Sequence, residues 1–268
     1  MILEVDDFVG TIRIVQSDTG DLEIVSIDEG AADLGGVVLD DSDPGHIKLR
    51  GAPAPLAMNC ARTNGSLSVA FGDGRTHPLS DFPSIVISAP DTADVKLSLR
   101  AGDAEISDVG NLEILAGGCS KVVAGDIADT LRLTTTGSAR LDFASADRAD
   151  IDANNGGRIH ITNVRKLLNA CLGRTSRLTS DTVSGSAEVY QSGASRTELK
   201  RVELNELVAE LDGTAALQVG GTAAQSRMTV AGTARANITQ GITLGAVDLQ
   251  RAGRLVIDGE RWKGPNHD

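Results

Sequence analysis

Short stretches of alternating apolar and polar residues recur along most of the chain at a nearly constant interval. An alternation with period two predicts a β-strand with one buried face. From residue 95 onward the stretches begin 17 to 21 residues apart. The starting residues are Val95, Leu112, Leu131, Ala149, Leu168, Ala187, Leu207, Met228 and Val247. A fixed interval of about this length is typical of a repeat protein in which each repeat stacks on the previous one.

Two further features recur in the same register. Apolar residues lie 10, 12 and 15 positions after most starts, which predicts three short strand segments in each repeat. Six positions after the start, most repeats carry a residue that tolerates a positive φ. This corner column is Gly118, Gly137, Asn155, Gly193, Gly213 and Gly253, and it is interrupted by Arg174 and Ala234. A tight turn of constant shape at the same place in each repeat explains the column.

These patterns predict an all-β protein, a right-handed three-sided parallel β-helix (β-solenoid) with a β-rich N-terminal cap. Aromatic residues make up only 2% of the 268 residues, as a thin aliphatic interior requires. A β-sandwich of short strands is the alternative, but it gives no reason for glycines in constant register. We predict a lead-in and cap over residues 1–90, a solenoid of about nine coils over 91–259, and a C-terminal cap or tail over 260–268. Within 1–90 we expect an antiparallel sheet that covers the first coil.

The charge pattern contains one ordered feature. The net charge is −12, which argues against general binding of nucleic acid or of an anionic membrane. Nine positions after the start, however, five consecutive repeats carry a cation: Lys121, Arg140, Arg158, Arg177 and Arg196. Stacked repeats would bring these cations about 5 Å apart. They form a candidate anion-binding stripe for a polyanionic glycan or an acidic protein surface. The alternative is a charged surface column that keeps the solenoid soluble.

Motifs for catalysis or cofactor binding are not evident. The chain has no phosphate-binding glycine loop, no nucleophile elbow and no closely spaced metal ligands among its four histidines and three cysteines. No apolar run is long enough to span a membrane. We therefore expect no enzyme activity, no cofactor, no bound metal and no membrane insertion.

The repeats resemble those of the bacterial family called "putative auto-transporter adhesin, head GIN domain". The resemblance rests on degenerate G-S-G-like corners between L-x-I strands, for example Gly118-Cys119-Ser120 and Gly137-Ser138-Ala139. It implies an extracytoplasmic β-helical protein. Since similar members pair an N-terminal cysteine with one in a corner, it also implies a Cys60–Cys119 disulfide.

The function expected from the sequence is thus a non-enzymatic scaffold or adhesion-type binding module of the bacterial cell envelope. Two alternatives stay open: a cytoplasmic, polymer-forming solenoid of the bactofilin kind, and a carbohydrate-active β-helix enzyme with two convergent carboxylates. The first residues, Met1 to Asp7, do not form a signal peptide. We expect a periplasmic or cell-surface location if a leader has been removed, and a cytoplasmic one otherwise.

Overall fold

The computed structural model describes residues 1–31, 34, 36–43, 45–51, 58–71, 74–239 and 241–264. The chain is nearly all-β and winds as a β-solenoid of about nine turns, which confirms the predicted fold class. Among the described residues a single 3-10 turn, Leu79–Asp81, is the one helical element. The chain divides into two compact units, an N-terminal unit of Met1–Ala144 and a C-terminal unit of Ser145–Asp268.

The N-terminal unit begins directly with a solenoid strand. Strand β1 (Ile2–Gln16) pairs in parallel with β9 (Asp94–Ile106), so that Leu3 lies opposite Val95. Strands β10 (Asn111–Ala116) and β11 (Lys121–Thr135) continue the winding, because Leu112 lies between Val95 and Leu131. The buried residues of these strands form an aliphatic interior column.

The described residues between β1 and β9 form seven strands. They are β2 (Glu23–Asp28), β3 (Val37–Asp43), β4 (His46–Gly51), β5 (Met58–Thr63), β6 (Ser66–Phe71), β7 (Thr76–Pro78) and β8 (Ser84–Ala89). Strands β4 and β8 pair with β1 in parallel, while β3 and β2 add to β4 and β8 in antiparallel fashion. The antiparallel strands cover an edge that would otherwise be open. The expectation of an antiparallel sheet throughout residues 1–90 was therefore wrong for β1, β4 and β8, which belong to the parallel winding.

Strands β5, β6 and β7 form a separate antiparallel sheet. Its Leu67 and Val69 join a buried cluster with Val9, Phe82 and Ala101. Two of the four phenylalanines of the N-terminal unit meet here, since Phe71 and Phe82 lie 5.9 Å apart between ring centroids. The other two, Phe8 and Phe143, are buried on the solenoid strands β1 and β12 (Arg140–Ala153).

The C-terminal unit is a regular stack of bent strands. It contains the end of β12 (Arg140–Ala153), then β13 (Arg158–Leu172), β14 (Arg177–Gln191), β15 (Arg196–Leu211), β16 (Ala216–Val230), β17 (Arg235–Ile238), β18 (Ala246–Leu249), β19 (Arg254–Ile257) and β20 (Glu260–Arg261). From β13 to β19 every pairing is parallel. The short β20 turns back antiparallel onto β19, and the Trp262 amide donates to the Leu255 carbonyl. Residues 265–268 of the expected C-terminal cap lie outside the described residues.

The corner glycines stack in a file within each unit. In the N-terminal unit a Cβ on Gly137 would lie 2.7 Å from the Gly118 nitrogen. In the C-terminal unit the file consists of five residues that all have a positive φ: Arg174 (52°), Gly193 (66°), Gly213 (75°), Gly232 (69°) and Arg251 (60°). A Cβ on Gly193, Gly213 or Gly232 would lie 2.7 to 3.0 Å from the backbone of the preceding corner, which explains why glycine occupies these three positions.

The sequence register was wrong in the last two repeats. Ser226, not Met228, lies opposite Leu207, so the corner is Gly232 where Ala234 was expected. A buried serine takes the inward position usually held by an aliphatic residue, and its hydroxyl donates to the Thr243 carbonyl at 2.9 Å. The same shift moves the last corner from Gly253 to Arg251. In the coil that precedes the Arg174 corner, the positive φ falls on Gly156 rather than on Asn155.

Candidate functional site: an arginine ladder

One outward column of the C-terminal unit consists almost entirely of arginine. The strand register aligns Arg158, Arg177, Arg196, Ala216, Arg235 and Arg254. We call the five arginines of this column the arginine ladder. Each is the first residue of its strand and directly follows a corner, and each is exposed. The stacked corners therefore fix where the arginine backbones lie.

The structure places the sequence candidates in both units. Arg158, Arg177 and Arg196 are direct neighbours in the ladder. Lys121 and Arg140 begin β11 and β12, and the Arg140 amide donates to the Ser120 carbonyl, which stacks Arg140 on Lys121. The sequence reasoning missed Arg235 and Arg254, because the misplaced register put Asn237 in the column. Ala216 is the column position of the Leu207 repeat, and two further steps of 19 residues from it lead to Arg235 and then to Arg254.

The first three arginines of the ladder have no direct partner among the described side chains. Neighbouring strands lie about 4.8 Å apart, and at such a distance two like charges in water repel by about 1 kcal/mol before salt screening. Within the described part of the chain, no side chain forms an ion pair or hydrogen bond with Arg158, Arg177 or Arg196. Arg235 is held by a neutral partner, since its Nε donates to Asn237 Oδ1 at 2.8 Å. A column of unpaired guanidinium groups at this spacing can bind anionic groups in series.

A polar column runs beside the ladder, two residues further along each strand. It contains His160, Thr179, Glu198, Gln218 and Asn237. Next to it Asp181 accepts from Lys200 Nζ at 2.8 Å, and His160 Nε2 lies 3.4 Å from the same carboxylate. The hydrogen bond from Lys200 lowers the pKa of Asp181, so this acid is ionised but already neutralised by its partner. Glu198 has no hydrogen bond or close ion pair among the described residues, although the charge of Lys200 lies near enough to interact with it.

A groove opens on this face where Ala216 interrupts the ladder. Its volume is about 330 Å³, and its lining includes Arg177 and Arg196 together with Thr179, Glu198, Gln218 and Asn237. Ala216 itself belongs to the lining.

The N-terminal unit carries a charged ladder of a different kind. Its register aligns Lys48, Glu4, Lys96, Glu113 and Arg132, so the charges alternate in sign. Lys48 Nζ and Lys96 Nζ each lie 3.3 Å from a Glu4 carboxylate oxygen. Burial raises the pKa of Glu4, but the hydrogen bonds from the two lysines outweigh it and hold the pKa below its usual value. The lysine charges on either side of Glu4 are thus paired within this ladder.

The same unit contains the cysteine pair that the resemblance implies. Cys60 of β5 and Cys119 of the corner are joined in a disulfide, with their Cα atoms 5.9 Å apart. Arg62 holds the backbone beside this disulfide, because its Nη2 donates to the Cys119 carbonyl at 3.1 Å while the guanidinium pairs with Asp103. The third cysteine, Cys171, is a free and exposed thiol, and partial burial raises its pKa. The Cys60–Cys119 bond ties the separate sheet to the solenoid.

The described residues contain no group of three or more His, Cys, Asp or Glu side chains placed to hold a metal ion. In the same part of the chain, no helix has the length and apolarity needed to cross a membrane.

The fold and this face define a β-solenoid with a cationic ladder. No protein-family model matches the chain, and no curated protein matches it in sequence. Among solved structures it is similar to one described as "a putative adhesin" from Bacteroides fragilis. The two are 12% identical, the alignment covers 96% of this chain and 90% of that one, and the TM-score is 0.41. At this level the similarity does not extend to function, and membership of the head GIN domain family stays a prediction.

Proposed function

We propose that this protein is a non-enzymatic binding module that holds a linear polyanion along the arginine ladder. The observation that carries the proposal is the row of unpaired guanidinium groups on Arg158, Arg177 and Arg196. The N-terminal unit pairs its charges of opposite sign across neighbouring strands, so stacking alone does not demand a row of like charges. A ladder that repels itself is explained if an anionic ligand neutralises it. That Lys121 and Arg140 extend the binding surface stays a prediction. Arg140 is less available to a ligand than the ladder arginines, because its Nε already pairs with an Asp142 carboxylate oxygen at 3.2 Å.

The cell envelope is the location we propose. Disulfides persist in oxidising compartments and are rare in the bacterial cytoplasm, and Cys60 and Cys119 lie at the separation of a disulfide. The resemblance to the head GIN domain family implies the same location. Antiparallel strands cover edges in both units, β2 and β3 in one and β20 in the other. Covered edges oppose end-to-end stacking, which supports a binding module over a polymer-forming scaffold.

The test is charge reversal on the ladder. The double variant Arg158→Glu, Arg177→Glu should bind heparin, alginate or polyphosphate at least about 100-fold more weakly, since about 1.4 kcal/mol for each lost arginine is a tenfold change. The matched control is Arg13→Glu, Arg132→Glu, which changes the net charge equally at exposed positions of the N-terminal unit. Isothermal titration at two salt concentrations measures both. Equal losses in the two variants would reduce the effect to net charge and reject the proposal.

A further inference from the structure

At Ala216 the arginine ladder is interrupted by a gap that is wider than the spacing between its other neighbours. Ala216 lies directly between Arg196 and Arg235 in the strand register. The gap between these two arginines therefore spans two strand spacings, or about 9.6 Å. The groove of about 330 Å³ lies on this gap, and its volume is at the lower end of the range for small-molecule sites. It has room for one sugar ring with its substituents, while the rest of the ladder is an open row.

The lining combines groups that a simple anion does not need. Arg177 and Arg196 supply positive charge, but Glu198 supplies a negative one, and Thr179, Gln218 and Asn237 supply neutral donors and acceptors. In the described part of the chain, nothing forms a hydrogen bond with the Glu198 carboxylate. An ionised carboxylate only accepts hydrogen bonds. An anionic group placed against Glu198 would be repelled by its carboxylate, whereas a ligand with hydroxyl groups can donate to it.

Mixed hydroxyl and anionic chemistry on a repeating chain is that of an acidic polysaccharide. Its hydroxyl groups would donate to Glu198, and its carboxylate or sulfate would accept from Arg177 and Arg196. Extended sugar chains advance by about one strand spacing per ring, so acidic groups further along the chain can meet Arg158, three strands from Ala216 on one side, and Arg254, two strands away on the other. Arg235 is already held by Asn237, which leaves the groove itself open.

We infer that the gap at Ala216 is a saccharide subsite, which takes one hydroxyl-bearing acidic sugar of a linear polysaccharide while the flanking arginines hold its neighbours. This inference rests on the proposed function of the ladder and specifies its ligand.

The experiment fills the gap with Ala216→Arg, which also completes the cationic column. Alginate oligosaccharides and heparin oligosaccharides serve as acidic saccharides, and polyphosphate serves as an anion without hydroxyl groups along its chain. If the gap is a saccharide subsite, the variant should bind the better of the two saccharides at least tenfold more weakly. It should bind polyphosphate more tightly, with a salt dependence steeper by about one charge. Ala216→Ser, which keeps the gap, should bind all three as the wild type does.

A second variant tests Glu198 itself. Glu198→Ala removes the acceptor for sugar hydroxyls and one negative charge, so it should weaken saccharide binding several-fold and strengthen polyphosphate binding. Glu198→Gln keeps an acceptor oxygen and should restore most of the saccharide affinity.

The outcomes separate the inference from the function on which it rests. If Ala216→Arg binds saccharides and polyphosphate more tightly alike, the ladder is a uniform cationic row and the subsite is rejected, but the proposed function survives. The same conclusion follows if the wild type binds polyphosphate and neither saccharide. If reversal of Arg158 and Arg177 changes no affinity, the proposed function itself is wrong.

Discussion

The two units of this protein stack charged side chains in opposite ways. In the N-terminal unit Glu4 lies between Lys48 and Lys96, and each neighbour attracts it. In the C-terminal unit Arg177 lies between Arg158 and Arg196, and each neighbour repels it. Both units have a buried aliphatic interior. The comparison teaches that the fold tolerates either arrangement, so the arginine ladder is not a requirement of stacking.

The largest effect should come from a bond that only the N-terminal unit has. Loss of the Cys60–Cys119 disulfide, by reduction or by Cys60→Ser, should lower the free energy of unfolding by about 4 kcal/mol, because the bond closes a loop across a separation of 59 residues. Hydrogen exchange should increase in β5 to β7 and stay unchanged in β13 to β16. A count of three free thiols in the denatured, unreduced protein would show that the bond does not form.

A smaller effect should follow from a methyl group in the corner file of the C-terminal unit. Gly232 has a φ of 69°, and a Cβ there would lie 2.7 Å from the Gly213 carbonyl oxygen. We expect Gly232→Ala to destabilise the protein by about 3 kcal/mol, from left-handed strain and the steric clash together. Gly259→Ala is the control, because φ is 87° with nothing within 4 Å, and strain alone should lower stability by about 1 kcal/mol. Equal losses in urea unfolding would mean that the corners do not stack closely.

Charge reversal in the two ladders should change the free energy of unfolding in opposite directions. Arg177→Glu turns two repulsions into attractions and should raise the free energy of unfolding by up to about 1 kcal/mol, less in high salt. Glu4→Lys turns two attractions into repulsions and should lower it by a similar amount. Urea unfolding at low and high salt measures both. Changes of the same sign would break the contrast between the units.

Acid should weaken one ladder and leave the other unchanged. Hydrogen bonds from Lys96 and Lys48 outweigh the effect of burial and hold the pKa of Glu4 below its usual value of 4.5, so their stabilisation is complete above that pH and is lost as the pH falls through the lowered value. Arginine does not titrate in this range. Between pH 5 and pH 3, wild type should therefore lose slightly more stability than Glu4→Gln, which has no charge to lose. Parallel pH profiles for the two proteins would contradict this.

Much of this architecture could be predicted from the sequence because every coil of a solenoid needs the same kinds of residue at the same positions. The corner glycines and the cations after them recur at nearly constant spacing, so Arg158, Arg177 and Arg196 could be aligned by counting. The alignment failed where a residue of the wrong polarity took an inward position: Ser226 is buried but polar, and its hydrogen bond to the Thr243 carbonyl cannot be seen in the sequence. Because of this register error, Arg235 and Arg254 were not placed in the predicted column.

Two other features depend on contacts between distant parts of the chain. Strand β1 belongs to the winding because it pairs with β9, more than 80 residues away, and no local pattern reveals such a pairing. The groove at Ala216 depends on which side chains surround a small residue in three dimensions. The Cys60–Cys119 pairing was implied by the resemblance alone, since three cysteines allow several pairings.

The most direct test of the central claim is the stabilisation that a polyanion gives to the folded protein. A ligand present at 100 times its dissociation constant raises the free energy of unfolding by about 2.7 kcal/mol. We predict that heparin or alginate stabilises the wild type by this mechanism and stabilises the Arg158→Glu, Arg177→Glu variant by no more than about 0.4 kcal/mol under the same conditions, since its dissociation constant is at least about 100-fold higher. Equal stabilisation of both proteins, or none in either with any of the polyanions, would contradict the account.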